Sequence, residues 1–364
     1  MIDASELRKA LAGGATLPAD WYADPAVLRL EQERIFARAW QYAGRAELVA
    51  EPGDFFSCFA GQIPIVVVRD KSGTLRAFVN VCRHRGHLVA DGAGHRETLQ
   101  CRYHAWTYDL DGALRVAPRS EREPDFDPSG FSLLPVHVEA WGPLVFVNPD
   151  PEAGPLSAAL GELPALVAES GVELDRLRFR NRNEWEIAAN WKIAIENYLE
   201  CYHCPVAHPG FSKVIDVDPD AYVLRKDGLV SSQFGTPRAA AMTDGSKAPY
   251  DPRGEVTRAQ YHLLWPNFTL NIEAGPGNLS VDVTRPLGTE RSAGFTEYFF
   301  YEDVTDEAAQ QMMDFATQVG LEDMALVESV QRGLGSGMVP HGRLLLSSEH
   351  LIQHFQALVA DALL

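Results

Sequence analysis

The chain contains no run of about eighteen or more apolar residues, the length a helix needs to cross a bilayer. It is also short of positive charge: 32 Lys and Arg stand against 50 Asp and Glu, a formal net charge of −18. A surface of that sign repels phosphate and argues against nucleic acid as a partner. It suits docking onto a basic patch of a redox partner, although acidic charge is common among soluble enzymes. Cysteine is scarce, and Cys58, Cys82, Cys101, Cys201 and Cys204 form no spaced disulfide framework, so a reducing cytoplasm is the expected compartment. Met1-Ile2-Asp3-Ala4-Ser5-Glu6 is neither basic nor apolar and does not read as a signal peptide. No glycine-rich dinucleotide fingerprint is evident, so NAD(P)H is expected to bind to another protein. No internal repeat or low-complexity tract is present.

What the chain does have is two mixed metal-ligand pairs. Cys82-x-His84 is followed, after sixteen residues, by Cys101-x-x-His104. Two thiolates can hold one iron of a [2Fe–2S] cluster and two imidazoles the other, which is Rieske ligation. Imidazole in place of thiolate reduces the negative charge on the cluster and raises its potential, so such a centre accepts electrons from a ferredoxin or flavin reductase. Structural zinc is the rival, since it also takes Cys and His. Zinc knuckles usually pair Cys with Cys and His with His, and the mixed pairs disfavour it. Gly86 can take the backbone angle that turns amide N–H groups toward sulfur. Tyr103, Ala105 and Trp106 supply an apolar wall against water, and Asp109-Leu110-Asp111-Gly112 reads as a hairpin turn.

A lone Rieske ferredoxin needs roughly one hundred residues; this chain has 364, of which 46% are apolar and 23% charged, enough for two or three globular domains. The pattern divides into 1–37, 38–150 and 151–364. The first block reads as helical, with Asp24-Pro25 as a helix start. The second is a series of short strands broken by Gly, Pro and Asp, among them Ile65–Val68, Leu75–Val79 and Leu144–Val147, and it contains both cluster pairs. The Pro-rich stretch Asn148–Pro155 reads as a domain exit. The third block mixes a strand over 178–187, a helix from Asn190 to about Cys204, strands across 219–300, and closing helices at roughly 305–334 and 348–362.

The helix from Asn190 carries a second constellation. Asn197, Glu200 and His203 are spaced by three and share a helical face. Pro205 stops regular continuation and biases Cys204 away from helix, so the chain can fold back until His208 meets His203. Two histidines plus one carboxylate, with coordination positions left open, make the facial triad of non-haem Fe(II) oxygenases, where O₂ and substrate meet at the metal. Spacing does not decide the carboxylate; Glu200 is nearest in sequence. Cys201-x-x-Cys204 allows a redox dithiol, but without a thioredoxin-like setting it reads as packing. His350 and His354 lack the glutamate placement of a metalloprotease helix and read as polar positions on a terminal helix.

Val81-Cys82-Arg83-His84-Arg85-Gly86-His87 with Cys101-Arg102-Tyr103-His104-Ala105-Trp106, and then Asn190-Trp191-Lys192, Glu196-Asn197-Tyr198, Glu200-Cys201-Tyr202-His203 and His208, resemble the Rieske non-haem iron oxygenase α subunits of the ring-hydroxylating type. The resemblance covers nearly the whole chain. It implies an α+β fold in which an all-β Rieske domain is inserted in a helix-grip catalytic domain of antiparallel sheet plus helices. It implies a [2Fe–2S] cluster on Cys82, His84, Cys101 and His104, and mononuclear Fe(II) on His203, His208 and Asp323, with Glu322 and Glu328 as rival third ligands. It gives Glu200 the part of a bridging carboxylate, where many members carry Asp, between a metal histidine and a cluster histidine of a neighbouring subunit. Head-to-tail homotrimers, electrons from a separate reductase or ferredoxin component, and insertion of oxygen from O₂ into a small molecule also follow from it.

Glu200-Cys201-Tyr202-His203-Cys204 with Ala207-His208-Pro209-Gly210-Phe211-Ser212, and Leu326–Leu334 with Ser348-Glu349-His350, further resemble glycine-betaine and related quaternary ammonium monooxygenases. Those enzymes hydroxylate beside nitrogen, and the product collapses to aldehyde and amine. A quaternary cation needs an aromatic cage, and Tyr261, Trp265, Asn267 and Phe268 are the candidates, although aromatics near strand ends are usually core. Ring hydroxylation or dioxygenation, or O-demethylation, of an aromatic is the alternative, favoured by an apolar pocket without counter-charge. A Rieske electron carrier without a working second iron is the alternative of another class.

Overall fold

The structure, a computed structural model, describes residues 4–243 and 248–364. Residues 1–3 of the N-terminal stretch and residues 244–247 within the 219–300 region lie outside the described residues. The chain forms two compact units, Met1–Ile35 with Ser157–Leu364, and Phe36–Leu156.

The 36–156 unit is made of short antiparallel strands, because its β-branched and aromatic runs are repeatedly cut by turn residues. One sheet runs in the order Gln41–Arg45, Leu144–Asn148, Pro135–Trp141, Leu75–Val79, Ile63–Arg69, Asp54–Ala60, Ala93–His95. A smaller one pairs Leu99–Gln100, Thr107–Tyr108 and Leu114–Val116. One face of the larger sheet buries Val49, Phe56, Ile65, Val67 and Val145. The other side packs Phe55, Val66, Val68 and Phe78 with Cys82, Cys101, Trp106 and Tyr108. The turn at Asp109–Gly112 is present. Gly112 takes φ +92° there, and a Cβ would stand 2.4 Å from the Phe78 ring, so only glycine fits.

In the other unit an antiparallel sheet runs Leu177–Ile187, Ser292–Tyr301, Asn278–Pro286, Phe268–Ile272, Ala259–Leu264, Val230–Pro237, Ile215–Asp216, with Val223–Asp227 also paired to Val230–Pro237. Asp24 caps the helix Pro25–Glu31 by accepting from Ala26 N–H, as its sequence suggests. The long helix Asp306–Gly335 is capped by Thr305 and has Asp306 and Glu307 in its first turn, where negative charge suits the helix dipole. The last helix, His350–Leu363, buries Leu351, Ile352, Phe355, Val359 and Leu363 on one face. His354 Nε2 lies 3.0 Å from the Gly228 carbonyl.

The Asn190 helix differs from its sequence reading. It covers only Trp191–Tyr198, and a short second helix covers Cys204–Ala207. Glu200 explains the break: its Oε2 accepts the backbone N–H groups of Tyr202 and, at 3.1 Å, His203, which an unbroken helix would have bonded to carbonyls. Glu200 and His203 therefore do not share a helical face. Pro205 sits within the first turn of the second helix, where its missing N–H removes no bond, so Cys204 is helical after all. Cys201 and Cys204 are joined as a disulfide rather than packing as free thiols. The turn at 200–203 brings their Cα atoms to 4.9 Å, a separation a disulfide spans.

Candidate metal centres

The two Cys–His segments of the 36–156 unit form matching loops. Cys82 N–H donates to the His87 carbonyl at 2.8 Å and its carbonyl accepts from Gly86 at 3.0 Å. Cys101 N–H donates to the Trp106 carbonyl at 2.8 Å and its carbonyl accepts from Ala105 at 3.0 Å. Each loop needs a left-handed residue four positions after its cysteine, and these are Gly86 at φ +75° and Ala105 at φ +59°. The cysteines are each 2% exposed, whereas His84 and His104 are exposed with ring centroids 4.6 Å apart. Buried sulfurs beneath two surface imidazoles are the donor set a Rieske cluster requires.

Trp106 lies flat against His84 at 4.9 Å, backed edge-on by Phe126 and Phe131, and Tyr103 lies 3.9 Å from His104. These rings form the apolar wall. Burial pushes the Cys101 thiol up, as does Cys82 beside it, while the N–H groups of Tyr103 and His104 favour the thiolate. Sequence reasoning missed Tyr108. Its hydroxyl lies 3.3 Å from Cys82 Sγ and accepts from Arg83 N–H at 3.0 Å. The only signal for it was an aromatic at the strand that follows the second loop.

In the other unit the fold places the second donor set. Asn190 caps its helix by accepting from Lys192 N–H, and its amide donates to the carbonyls of Tyr22 at 3.0 Å and Thr289 at 2.7 Å. Lys192 is fully buried, with Nζ on Glu31 Oε1 at 2.5 Å and on the Trp21 carbonyl at 2.9 Å, while Trp191 donates to Glu31 Oε2. Asn190-Trp191-Lys192 thus anchors the segment that leads into the ligands. His203 Nε2 stands 3.1 Å from His208 Nε2, Asp323 Oδ1 lies 3.0 Å from His208 Nε2, and it lies 3.5 Å from His203 Nε2.

The outer edge of each ring is held by a glutamate. His203 Nδ1 is hydrogen-bonded to Glu200 Oε1, and His208 Nδ1 to Glu322 Oε2 at 2.8 Å. A carboxylate can only accept, so each Nδ1 carries the proton and each Nε2 turns a lone pair inward. Two lone pairs and a carboxylate oxygen then face one another with no donor among them, an arrangement that a cation resolves. Ligands at right angles and about 2.1 Å from one ion are about 3 Å apart, close to the spacing here. Burial opposes protonation of His203, but Asp323 and Glu200 outweigh it and raise the ring to about 9, so without an ion the cleft draws protons instead. Of the rival ligands, Glu322 is on the far side of His208. Glu328 accepts from Ala188 N–H at 3.1 Å and does not join the donor set.

The triad lines a cavity of about 750 Å³, along with Glu200 and Asn197. Its wall of alternate strand residues is Thr269, Asn271 and Glu273, then Ser280, Asp282 and Thr284, then Thr296 and Tyr298, because side chains on one face recur at every second position. The long helix contributes Met312, Phe315, Val319 and Asp323. Tyr261 lines the cavity as expected. Trp265, Asn267 and Phe268 do not. Trp265 and Asn267 lie in the connection between two strands and Phe268 opens the second of them, with Trp265 packed 5.5 Å from Phe355, the Asn267 amide donating to the Thr284 carbonyl, and Phe268 fully buried. Phe211, Tyr222, Glu273 and Asp282 were missed; nothing local marks a strand acid as cavity-facing. Burial raises Glu273 to about 7 and also pushes Asp282 up.

The Rieske [2Fe-2S] domain family matches residues 39–136, and the ring hydroxylating alpha subunit (catalytic domain) family matches residues 174–364. With two loops that fit the cluster and a His-His-Asp donor set over a cavity, the chain belongs to the Rieske non-haem iron oxygenase α subunits, enzymes whose cofactors are a Rieske cluster and mononuclear iron. Among its relatives, the carnitine monooxygenase oxygenase subunit of Escherichia coli (strain K12) is 35% identical over 357 residues, 95% of this chain and 93% of that one. The chloroplastic choline monooxygenase of Arabidopsis thaliana is 32% identical, over 96% of this chain and 83% of that one. The crystal structure of the quaternary ammonium Rieske monooxygenase CntA with L-carnitine superimposes with a TM-score of 0.82 at 32% identity, covering 96% of this chain and 95% of that one. No helix among the described residues is long and apolar enough to cross a membrane.

Proposed function

We propose that this chain is the terminal oxygenase of a quaternary ammonium monooxygenase system. Electrons come from a separate NAD(P)H-dependent reductase, and the product of hydroxylation beside nitrogen collapses to an aldehyde and an amine. Cys82, Cys101, His84 and His104 hold the cluster; His203, His208 and Asp323 hold the iron. When bound, that iron supplies O₂ activation, using electrons relayed through the cluster. Glu200 and Glu322 keep the Nδ1 protons in place and so keep both Nε2 atoms available. Asn197, on the cavity wall, is a candidate to position substrate. A homotrimer in which Glu200 links His203 to a neighbour's cluster histidine fits its place beside His203.

One observation carries the substrate class: the cavity that opens on the triad combines aromatic rings, Phe211, Tyr222, Tyr261 and Phe315, with the carboxylates Glu273 and Asp282. Rings and negative charge together suit a cation that has no N–H to donate. They count against an aromatic substrate, which would want apolar walls. The names of the relatives point the same way. A pure electron carrier would have no use for the triad.

The test is a single turnover. Chemically reduced protein is mixed with O₂ and with either trimethylammonium compounds or aromatic acids, and products are read by mass spectrometry. Formaldehyde or a released amine is the expected result. Hydroxylated or demethylated aromatics from that mixture would instead place the chain on the ring-oxidising branch.

A further inference from the structure

The cavity offers little to an anion. Among its described lining residues the one Lys or Arg is Arg182. Its guanidinium contacts Glu184 at 3.2 Å and Glu297 at 3.2 Å and lies 3.6 Å over the Phe295 ring, so its charge is already matched.

One acceptor, by contrast, stands open. Glu273 Oε2 takes the hydroxyls of Tyr261 at 2.8 Å and Tyr250 at 3.3 Å, while its Oε1 has no hydrogen-bond partner among the described residues. Asp282 is saturated by Thr296 on Oδ1 and by Asn271 at 2.8 Å and Thr269 at 3.2 Å on Oδ2. Its oxygens have little acceptor capacity left.

We propose that the substrate is a quaternary ammonium compound that carries no carboxylate, with Glu273 facing the ammonium group. The inference rests on the function proposed above and narrows it. A quaternary nitrogen needs charge and ring faces rather than hydrogen bonds. Glu273 supplies the charge. The rings stand around it: Phe211 is 5.8 Å from Tyr261 and 6.2 Å from Phe315, and Tyr250 is 5.0 Å from Phe315, by ring centroid. Among the described lining residues a substrate carboxylate would find neutral donors, such as the Tyr222 hydroxyl and the Asn197 amide, and would sit beside two acids in a cavity where like charges repel strongly. Such a cavity refuses carboxylate-bearing betaines.

The experiment is anaerobic calorimetric titration of the protein carrying both its cluster and its iron. The probes are choline, L-carnitine, γ-butyrobetaine and 3,3-dimethylbutan-1-ol, the last having choline's shape without its charge. Choline is expected to bind at least about tenfold tighter than each of the other three. Carnitine or γ-butyrobetaine inside that margin overturns the exclusion of carboxylates and leaves the quaternary ammonium reading standing. No binding by any cation, with turnover of aromatic acids, overturns both. Glu273→Gln, checked for an unchanged visible cluster spectrum and iron content, is expected to bring choline and the alcohol to similar affinity, and Glu273→Asp to restore part of the difference. A Glu273→Gln protein with intact preference for choline removes Glu273 from the role.

Discussion

Glu200 Oε1 is hydrogen-bonded to His203 Nδ1, on the side of the ring opposite the atom that faces His208 and Asp323. We propose that the contact keeps Glu200 off the metal, as a positioning residue. Glu200→Gln retains an acceptor for the Nδ1 proton, so the variant should keep both iron centres and the visible cluster spectrum. The expected loss is about 10- to 100-fold in the rate at which reduced cluster passes its electron to the iron, measured by rapid mixing. A variant that instead arrives without mononuclear iron would make Glu200 a direct ligand.

Asp323 supplies the only carboxylate oxygen in the His203–His208 donor set among the described residues. Asp323→Ala should reduce iron from about three to about two per chain, with cluster absorbance unchanged and turnover lost. Iron analysis beside the visible spectrum checks it, and three retained irons would move the ligand role elsewhere.

Glu322, one residue away, is expected to behave differently because it reaches His208 Nδ1 rather than the metal side. Glu322→Gln should weaken iron affinity by about 10- to 100-fold without abolishing it, since an acceptor for the Nδ1 proton remains. Activity restored by excess Fe(II) distinguishes this from the Asp323 variant. Failure of added iron to restore it contradicts the assignment.

At the cluster, Cys101→Ser should bleach the visible spectrum, because Cys101 supplies one of only two buried sulfurs in these loops. Tyr108→Phe should leave the spectrum in place and lower the reduction potential, since hydrogen bonds to cluster sulfurs raise it. An unchanged potential would deny the Tyr108 hydroxyl that influence.

Cation affinity should depend on pH through Glu273, whose carboxyl burial raises to about 7 in the ligand-free protein. A bound cation favours the carboxylate, so the complex has the lower value and binding releases a proton. Affinity is therefore highest above pH 7 and falls as pH drops through that value, by up to about tenfold per unit. The surrounding Tyr222, Tyr250 and Tyr261 hydroxyls are all raised above the ordinary tyrosine value, outside this window. Calorimetry across pH 6–8 checks it. Glu273→Gln should flatten the curve, and a curve that survives the substitution assigns the proton to another group.

Much of this was legible in one dimension. The cluster ligands we propose sit in two short local loops, and each loop needs only its own cysteine, histidine and left-handed residue, so sequence displays them whole. His203 and His208 are five positions apart and were readable for the same reason. The strands and the two closing helices follow from local periodicity. The Asn190 helix was overestimated because Glu200, read as a helical position, competes for backbone N–H groups through its side chain. Trp265 and Phe268 are packed in the core, the usual place of aromatics near strand ends, and the Asn267 amide is spent on the Thr284 carbonyl.

By itself, then, the sequence determined the ligand types, their loop spacing and the α+β order of elements, all consequences of contacts between near neighbours. Tertiary structure decided the rest. It brought Asp323 to His208 from 115 positions away, put Glu322 on the outer nitrogen of the same ring, and gathered Glu273, Asp282 and four aromatic rings around one cavity. Those groups meet only when a sheet curls against a long helix. A carboxylate's role depends on which atoms stand within about 3 Å of it, and a linear spacing does not fix that distance.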